Sequence, residues 1–148
     1  MEKEELFEVL LVEDNPNDVE LVLRSFKKHM LVNKIYVVKD GIEALDFIFC
    51  TGVYTSRDIR RPPKVVILDL KLPKVDGKEV LRRIKSDPRT RIIPVVIMTS
   101  SQEESDVFES YNLGANSYIV KPVDFEKFTD TIQQLGMYWV FVNKPPVD

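Results

Sequence analysis

Residues 65–77 read Val-Val-Ile-Leu-Asp-Leu-Lys-Leu-Pro-Lys-Val-Asp-Gly, and the first five of them set the fold class. Val65 to Leu68 are apolar throughout rather than alternating, which is how a strand covered on both faces of a parallel sheet reads. A short apolar run is ambiguous by itself, so its neighbours decide. Four similar runs lie at Phe7 to Val12, Ile35 to Val38, Val95 to Met98 and Tyr118 to Val120. Between them the apolar residues recur at three- and four-residue steps, the spacing of helices.

The spacing predicts a helix over Asn17 to His29, started by Asn15-Pro16-Asn17, with Val19, Val22, Leu23 and Phe26 inward. A second runs from Gly41 to Cys50 with Ile42, Leu45, Ile48 and Phe49. A third opens at Asp76-Gly77, carries Val80, Leu81 and Ile84, and ends at Asp87-Pro88. A fourth opens at Ser101 with Val107, Tyr111 and Leu113 inward and Gly114 at its C-cap. Asp124 caps a long last helix reaching about Val142. Arg60-Arg61-Pro62-Pro63 reads as a loop, and Lys144-Pro145-Pro146 as a frayed tail. Five alternating strand–helix units imply right-handed crossovers and helices on both faces of the sheet. The expected form is an α/β, doubly wound, five-stranded parallel sheet of order 2-1-3-4-5, a flavodoxin-like fold. Ligands of such sheets bind beyond the carboxyl ends of the strands, where strands 1 and 3 diverge.

Composition narrows the function classes. A chain of 148 residues with 44% hydrophobic side chains has material for one domain, residues 1–148, with a core. Lys and Arg total 21 against 24 Asp and Glu, a net charge of −3, without the basic footprint of a DNA or RNA binder. The lone Cys50 excludes an intrachain disulfide and a Cys-rich zinc site. No apolar stretch approaches the ~20 residues of a membrane span, and the opening MEKEELFEV is not a signal peptide. No membrane insertion and a cytoplasmic location are the expectation.

Polar residues follow four of the runs directly. Strand 1 ends in Glu13-Asp14, strand 3 in Asp69, strand 4 in Thr99-Ser100 and strand 5 in Lys121-Pro122. Any one alone reads as a cap, a turn residue or a solvated lysine. Together they occupy one rim of the sheet. Three carboxylates in one crevice repel unless a positive group intervenes. A hard divalent cation such as Mg²⁺ suits such oxygen donors, and Lys121 offers a point charge. Carboxylate, cation, ammonium and the Thr99 hydroxyl suit a transferring phosphoryl group. An Asp carboxylate serves as nucleophile and forms an acyl phosphate; Asp69, on the central strand, is the best placed.

At this point the residues resemble a family. Leu11-Val12-Glu13-Asp14-Asn15, Leu68 to Gly77, Pro94 to Ser100 and Gly114 to Pro122 occur with the order and spacing of a response-regulator receiver domain of two-component signalling. The resemblance runs from Phe7 to about Leu135. It implies that Asp69 is the phosphoacceptor and modified residue. It implies that Asp14, Asp69 and the backbone carbonyl of Lys71 ligate Mg²⁺, with Glu13 acting through water. Thr99 resembles the switch hydroxyl, Lys121 the lysine that pairs with the phosphoryl group, and Tyr118 the aromatic residue that changes rotamer with the switch. The donor would be a phosphohistidine of a sensor histidine kinase. The chain would be a signalling domain, not a turnover enzyme, that also dephosphorylates slowly. Lys71 and Ser101 flank the path of attacking water in the family, and are expected to tune hydrolysis. Ser100 replaces a very small residue and narrows access to Asp69. His29, near a helix end, reads as solvated rather than as a phosphodonor.

No output domain is expected after the last helix. Phe125, Phe128, Ile132, Leu135 and Trp139 form its core stripe, and Met137, Tyr138, Val140 and Phe141 add a second apolar surface across Gly136. Two readings stay open for this C-terminal extension at about 136–148. It folds back on the domain, or it self-associates as a homodimer through the last helix. The long loop Thr51 to Pro63 and this extension resemble stand-alone receivers of the cyanobacterial phytochrome-partner type. Three rivals are weaker. A haloacid-dehalogenase-type phosphatase needs a second Asp at position 71, which is Lys. A pure metal-binding interaction module would take no phosphoryl group. A flavin domain would meet repulsion from Glu13-Asp14 and lacks a phosphate cradle.

Overall fold

Val, Ile and Leu dominate the central strands, and both faces of those strands are covered. In the computed structural model, residues 8–29 and 34–146 are described. Strands β1 (Val9–Val12), β2 (Ile35–Val38), β3 (Val65–Leu68), β4 (Val95–Thr99) and β5 (Ser117–Val120) form one parallel sheet of order β2-β1-β3-β4-β5. The register pairs Val12 with Leu68 and Thr99 with Val120, so the carboxyl ends lie along a common rim. Every residue of β1, β3 and β4 is buried. Phe7, placed in the first run by the sequence, lies outside the described residues.

Helices α1 (Pro16–Lys28) and α5 (Phe125–Met137) cover one face, and α2 (Gly41–Phe49) and α3 (Gly77–Ser86) the other. Val22 and Phe26 of α1 meet Phe128, Ile132 and Leu135 of α5 over Val9, Leu11, Ile67 and Met98. Phe47 and Ile48 of α2, with Val80, Leu81 and Ile84 of α3, pack over Leu10, Val66, Leu68 and Ile97. Helix α4 (Glu104–Asn112) flanks β5 at the sheet edge. Four helices start at Asx caps. Asn15, Asp40, Asp76 and Asp124 each accept a backbone N–H from the first turn, which removes an orphan donor worth about 1 kcal/mol. Gly114, just past α4, takes φ +107°, as a helix stop requires.

Three helix expectations need correction. The fourth helix does not open at Ser101. It begins at Glu104 after Glu103; the Ser101 oxygen accepts the Glu103 N–H at 3.4 Å in a turn before the helix, and its hydroxyl donates to Asp106 Oδ2 at 2.5 Å. Tyr111 is 51% exposed, since this short helix turns only Ser110 fully inward at the sheet edge. Ile42 and Phe125 are also exposed rather than core, each in the first turn of its helix. The last helix passes through Gly136 unbroken and then widens to a π-helical turn over Tyr138–Val142.

The extension divides between the two readings. Val140 is buried, and its carbonyl accepts a hydrogen bond from Lys64 Nζ at 3.0 Å, so this part folds back. Met137, Tyr138, Phe141 and Val142 stay exposed. The long loop Thr51 to Pro63 is pinned to the domain. Arg57 stacks 3.7 Å above the Phe47 ring and donates to the Phe47 carbonyl. Tyr54 donates to Glu43 Oε1 at 3.1 Å and shares a 3.0 Å hydroxyl contact with Tyr36.

Candidate functional site: an acidic rim around Lys121

Each polar rim residue is delivered by the strand before it. The Asp69 N–H donates to the Val12 carbonyl at 3.1 Å, prolonging the β1–β3 ladder by one residue. The Lys121 N–H donates to the Thr99 carbonyl at 2.8 Å and does the same for β4–β5. The loop after Asp69 is seated tightly. A Cβ on Gly77 would stand 2.2 Å from the Asp69 carbonyl oxygen, so only glycine lets α3 start so close beneath it.

Lys121 is the centre of the cluster. Its Nζ lies 2.8 Å from Asp69 Oδ2, 2.8 Å from Asp18 Oδ2 and 2.7 Å from Glu13 Oε1. The Asp18 and Asp69 contacts are aligned hydrogen bonds. The Glu13 contact is an ion pair out of hydrogen-bond alignment, which leaves buried Oε1 without an aligned donor. Glu13 is 1% and Asp69 7% exposed. Burial would lower the Lys121 pKa, but its hydrogen bonds to the Asp18 and Asp69 carboxylates and the close Glu13 carboxylate outweigh it and hold the group raised. Burial pushes Glu13 up to about 7; the Lys121 ammonium beside it opposes this, and the charge of Asp69 adds to it.

The other rim residues stand around this centre. Asp14 is exposed. The Lys71 N–H donates to Asp69 Oδ1 at 3.2 Å. Thr99 is fully buried, and its Oγ1 accepts from the Ser101 N–H at 3.5 Å. The half-buried Tyr118 hydroxyl donates to the Ser101 carbonyl at 3.0 Å. Ser101 therefore ties the Thr99 and Tyr118 side chains together through its own backbone. Burial raises the Tyr118 pKa. Beyond this tie, Lys78 of α3 bridges to Asp106 at 2.6 Å and Glu109 at 2.5 Å on α4.

Sequence reasoning brought Glu13, Asp69 and Lys121 to one point, and the structure does the same. It missed Asp18. That residue lies in the first turn of α1, where an acid is ordinarily explained by the helix dipole. Its contact with Lys121 spans 103 residues of sequence.

The donor set fits a divalent cation. One ammonium faces three carboxylates, and a buried carboxylate oxygen lacks an aligned donor. Oxygen-only ligands and excess negative charge suit a hard ion. Among the described residues no three acidic or His/Cys side chains are already arranged around a metal position; the Lys121 ammonium holds the centre.

A sheet of this order with acid, lysine and hydroxyl at its carboxyl rim defines a signalling receiver. The model of the response regulator receiver domain matches residues 9–133, and the chain belongs to that family of two-component response regulators. The probable methanogenesis regulatory protein FilR2 of Methanothrix harundinacea is 39% identical over 146 residues, 99% of this chain and 92% of FilR2. Response regulator Rcp1 of Synechocystis is 36% identical over 132 residues, 89% of this chain and 88% of Rcp1. Its Mn²⁺-bound crystal structure superposes with a TM-score of 0.86 over 94% of this chain and 98% of that one, at 34% identity. The phosphorylated cyanobacterial phytochrome response regulator RcpA gives a TM-score of 0.87 at 34% identity, over 95% of this chain and 99% of RcpA. Among the described residues no helix is long and apolar enough to cross a membrane.

Proposed function

We propose that the chain is a stand-alone response regulator, one receiver domain with a C-terminal extension, that accepts a phosphoryl group on Asp69 from a phosphohistidine of a sensor histidine kinase. The observation that carries this reading is the placement of Asp69: 7% exposed at the end of the central strand, one oxygen on Lys121 and the other on the Lys71 N–H. A carboxylate held by two donors is oriented before the donor arrives. In the transfer, an Asp69 oxygen attacks phosphorus while the bond to the departing imidazole nitrogen breaks. Lys121 then bonds a phosphoryl oxygen and neutralises charge where it develops.

Asp14, Asp69 and the Lys71 carbonyl, with Glu13 behind, would hold Mg²⁺, as the Mn²⁺-bound form of Rcp1 suggests for a relative. When bound there, the ion supplies charge neutralisation at the transferring phosphoryl oxygens. Phosphorylation gives the Thr99 hydroxyl, whose oxygen now accepts the Ser101 N–H at 3.5 Å, an anionic oxygen to donate to. If Thr99 turns to it, Ser101 and the Tyr118 hydroxyl bound to its carbonyl lose their tie. That is a two-state element which a phosphoryl group can bias. Lys71 and Ser101, two positions after Asp69 and Thr99, tune the hydrolysis of the aspartyl phosphate. The product is a conformational signal, not a released metabolite, and a phosphatase reading gains nothing from Lys71 in place of an acid.

The surface offered to the kinase is a groove of about 560 Å³ beside α1, lined by half-buried Val19 and Leu23 with Asp14, Arg24, Lys27 and Lys39. The exposed Met137, Tyr138, Phe141 and Val142 form the second contact surface, for a second copy of the chain. Profiling phosphotransfer against the sensor kinases of the same source tests the reading. One kinase should label the wild type rapidly and leave Asp69→Ala unlabelled. Labelling by no kinase, or equal labelling of the variant, would overturn it.

A further inference from the structure

We propose that Asp18 is a positioning residue for the phosphoryl chemistry: it anchors Lys121 through the reaction, outside the set of residues that meet cation and phosphoryl group. The assignment rests on Asp69 being the phosphoacceptor. Lys121 ends a flexible four-carbon stem whose ordering costs up to about 2 kcal/mol of side-chain entropy. An ammonium has three N–H donors, and here three carboxylates surround it. Two of them, Glu13 and Asp69, belong to the proposed cation and phosphoryl site, so their oxygens are taken up as the reaction proceeds. Asp18 alone among these three stands apart. It is carried by α1, not by a strand end, and its backbone N–H is tied to the Asn15 cap at 3.2 Å. Its hydrogen bond to Nζ is aligned at 2.8 Å, and the side chain is 20% exposed.

The consequence is geometric. When Asp69 carries a phosphoryl group, the donor now on Asp69 Oδ2 must follow to an oxygen of that group. The bond to Asp18 keeps Nζ on the α1 side of the crevice during that change, so one N–H keeps facing position 69. Without Asp18 the ammonium has, among the described residues, Glu13 and Asp69 to choose between, both inside the site.

The role predicts a pattern that neither a purely structural acid nor a simple repulsive charge would give. Asp18→Ala should lower the maximal rate constant for phosphorylation by acetyl phosphate with Mg²⁺ roughly tenfold, less than the ~100-fold that loss of a stabilising donor itself causes. Asp18→Asn keeps an acceptor oxygen for Nζ and should recover most of the rate. In a Lys121→Met background, Asp18→Ala should change the residual rate by less than twofold, because the residue acts through Lys121. The rates are read by intact-mass time courses on full-length protein whose fold is checked by circular dichroism. An Asp18→Ala rate within twofold of wild type overturns the assignment. So does Asp18→Asn as slow as Asp18→Ala, or an undiminished effect without Lys121. Failure of the wild type to gain a phosphoryl group overturns the reading of Asp69 and this assignment together, and shows in the first arm of the experiment.

Discussion

Glu13 places a nearly buried carboxyl against Asp69 and an ammonium that is shared three ways. Its pKa stands at about 7 instead of the ordinary 4.5, through burial first, with the charge of Asp69 adding to it. Between these values the folded protein holds a proton that the unfolded chain has released. The Glu13 contribution to stability is therefore full below about pH 4.5 and is lost as pH rises through about 7, at up to about 1.4 kcal/mol per pH unit. Urea unfolding of wild type and Glu13→Gln in metal-free buffer checks this. The variant should gain stability relative to wild type from about pH 4.5 to about pH 7 and level off above, and a constant difference would refute it. The residue scale also shows where sequence reading stops. Glu13, Asp69 and Lys121 were legible because each follows an apolar run, and strand direction alone carries them to one rim. Asp18 was not. A first-turn acid has a complete local explanation, and nothing local signals a partner on β5.

At the scale of elements, helix starts are as constrained as strand ends. Gly77 opens α3 directly beneath the Asp69 carbonyl, and its N–H donates to the Leu70 carbonyl at 2.8 Å. A methyl group there must push aside backbone, not a yielding side chain. Gly77→Ala should destabilise the protein by about 1–3 kcal/mol and slow phosphorylation by displacing Asp69. Denaturation midpoints and labelling rates measured on the same samples check both, and an unchanged midpoint would contradict the contact. Strand–helix alternation was legible for all five units, because covered strands and amphipathic helices have distinct periods. The edge helix α4 was the exception. Its start was misjudged because the Ser101 oxygen takes the Glu103 N–H at 3.4 Å, closing a turn ahead of the helix, which starts at Glu104. Its Tyr111 was misjudged because a helix at a sheet edge has little to bury against.

For the whole molecule, the proposed self-association turns on the C-terminal extension. Sequence pattern showed too much apolar surface for one helix face, but not which residues the domain would absorb. The fold takes Val140, with Lys64 on its carbonyl, and leaves Phe141, Tyr138 and Met137 outside. Phe141→Glu should lower the association state seen by sedimentation velocity while leaving phosphorylation intact. An unchanged sedimentation profile of an oligomer, or a wild type that is monomeric at all concentrations, would remove the self-association reading.

The most direct measurement of the central claim is the mass of full-length protein after incubation with acetyl phosphate and Mg²⁺, with the adduct mapped by fragmentation. One phosphoryl group, removable by hydroxylamine, located on Asp69 and absent from Asp69→Ala is the predicted result. An unmodified wild type, or an adduct that persists in Asp69→Ala, would contradict the account.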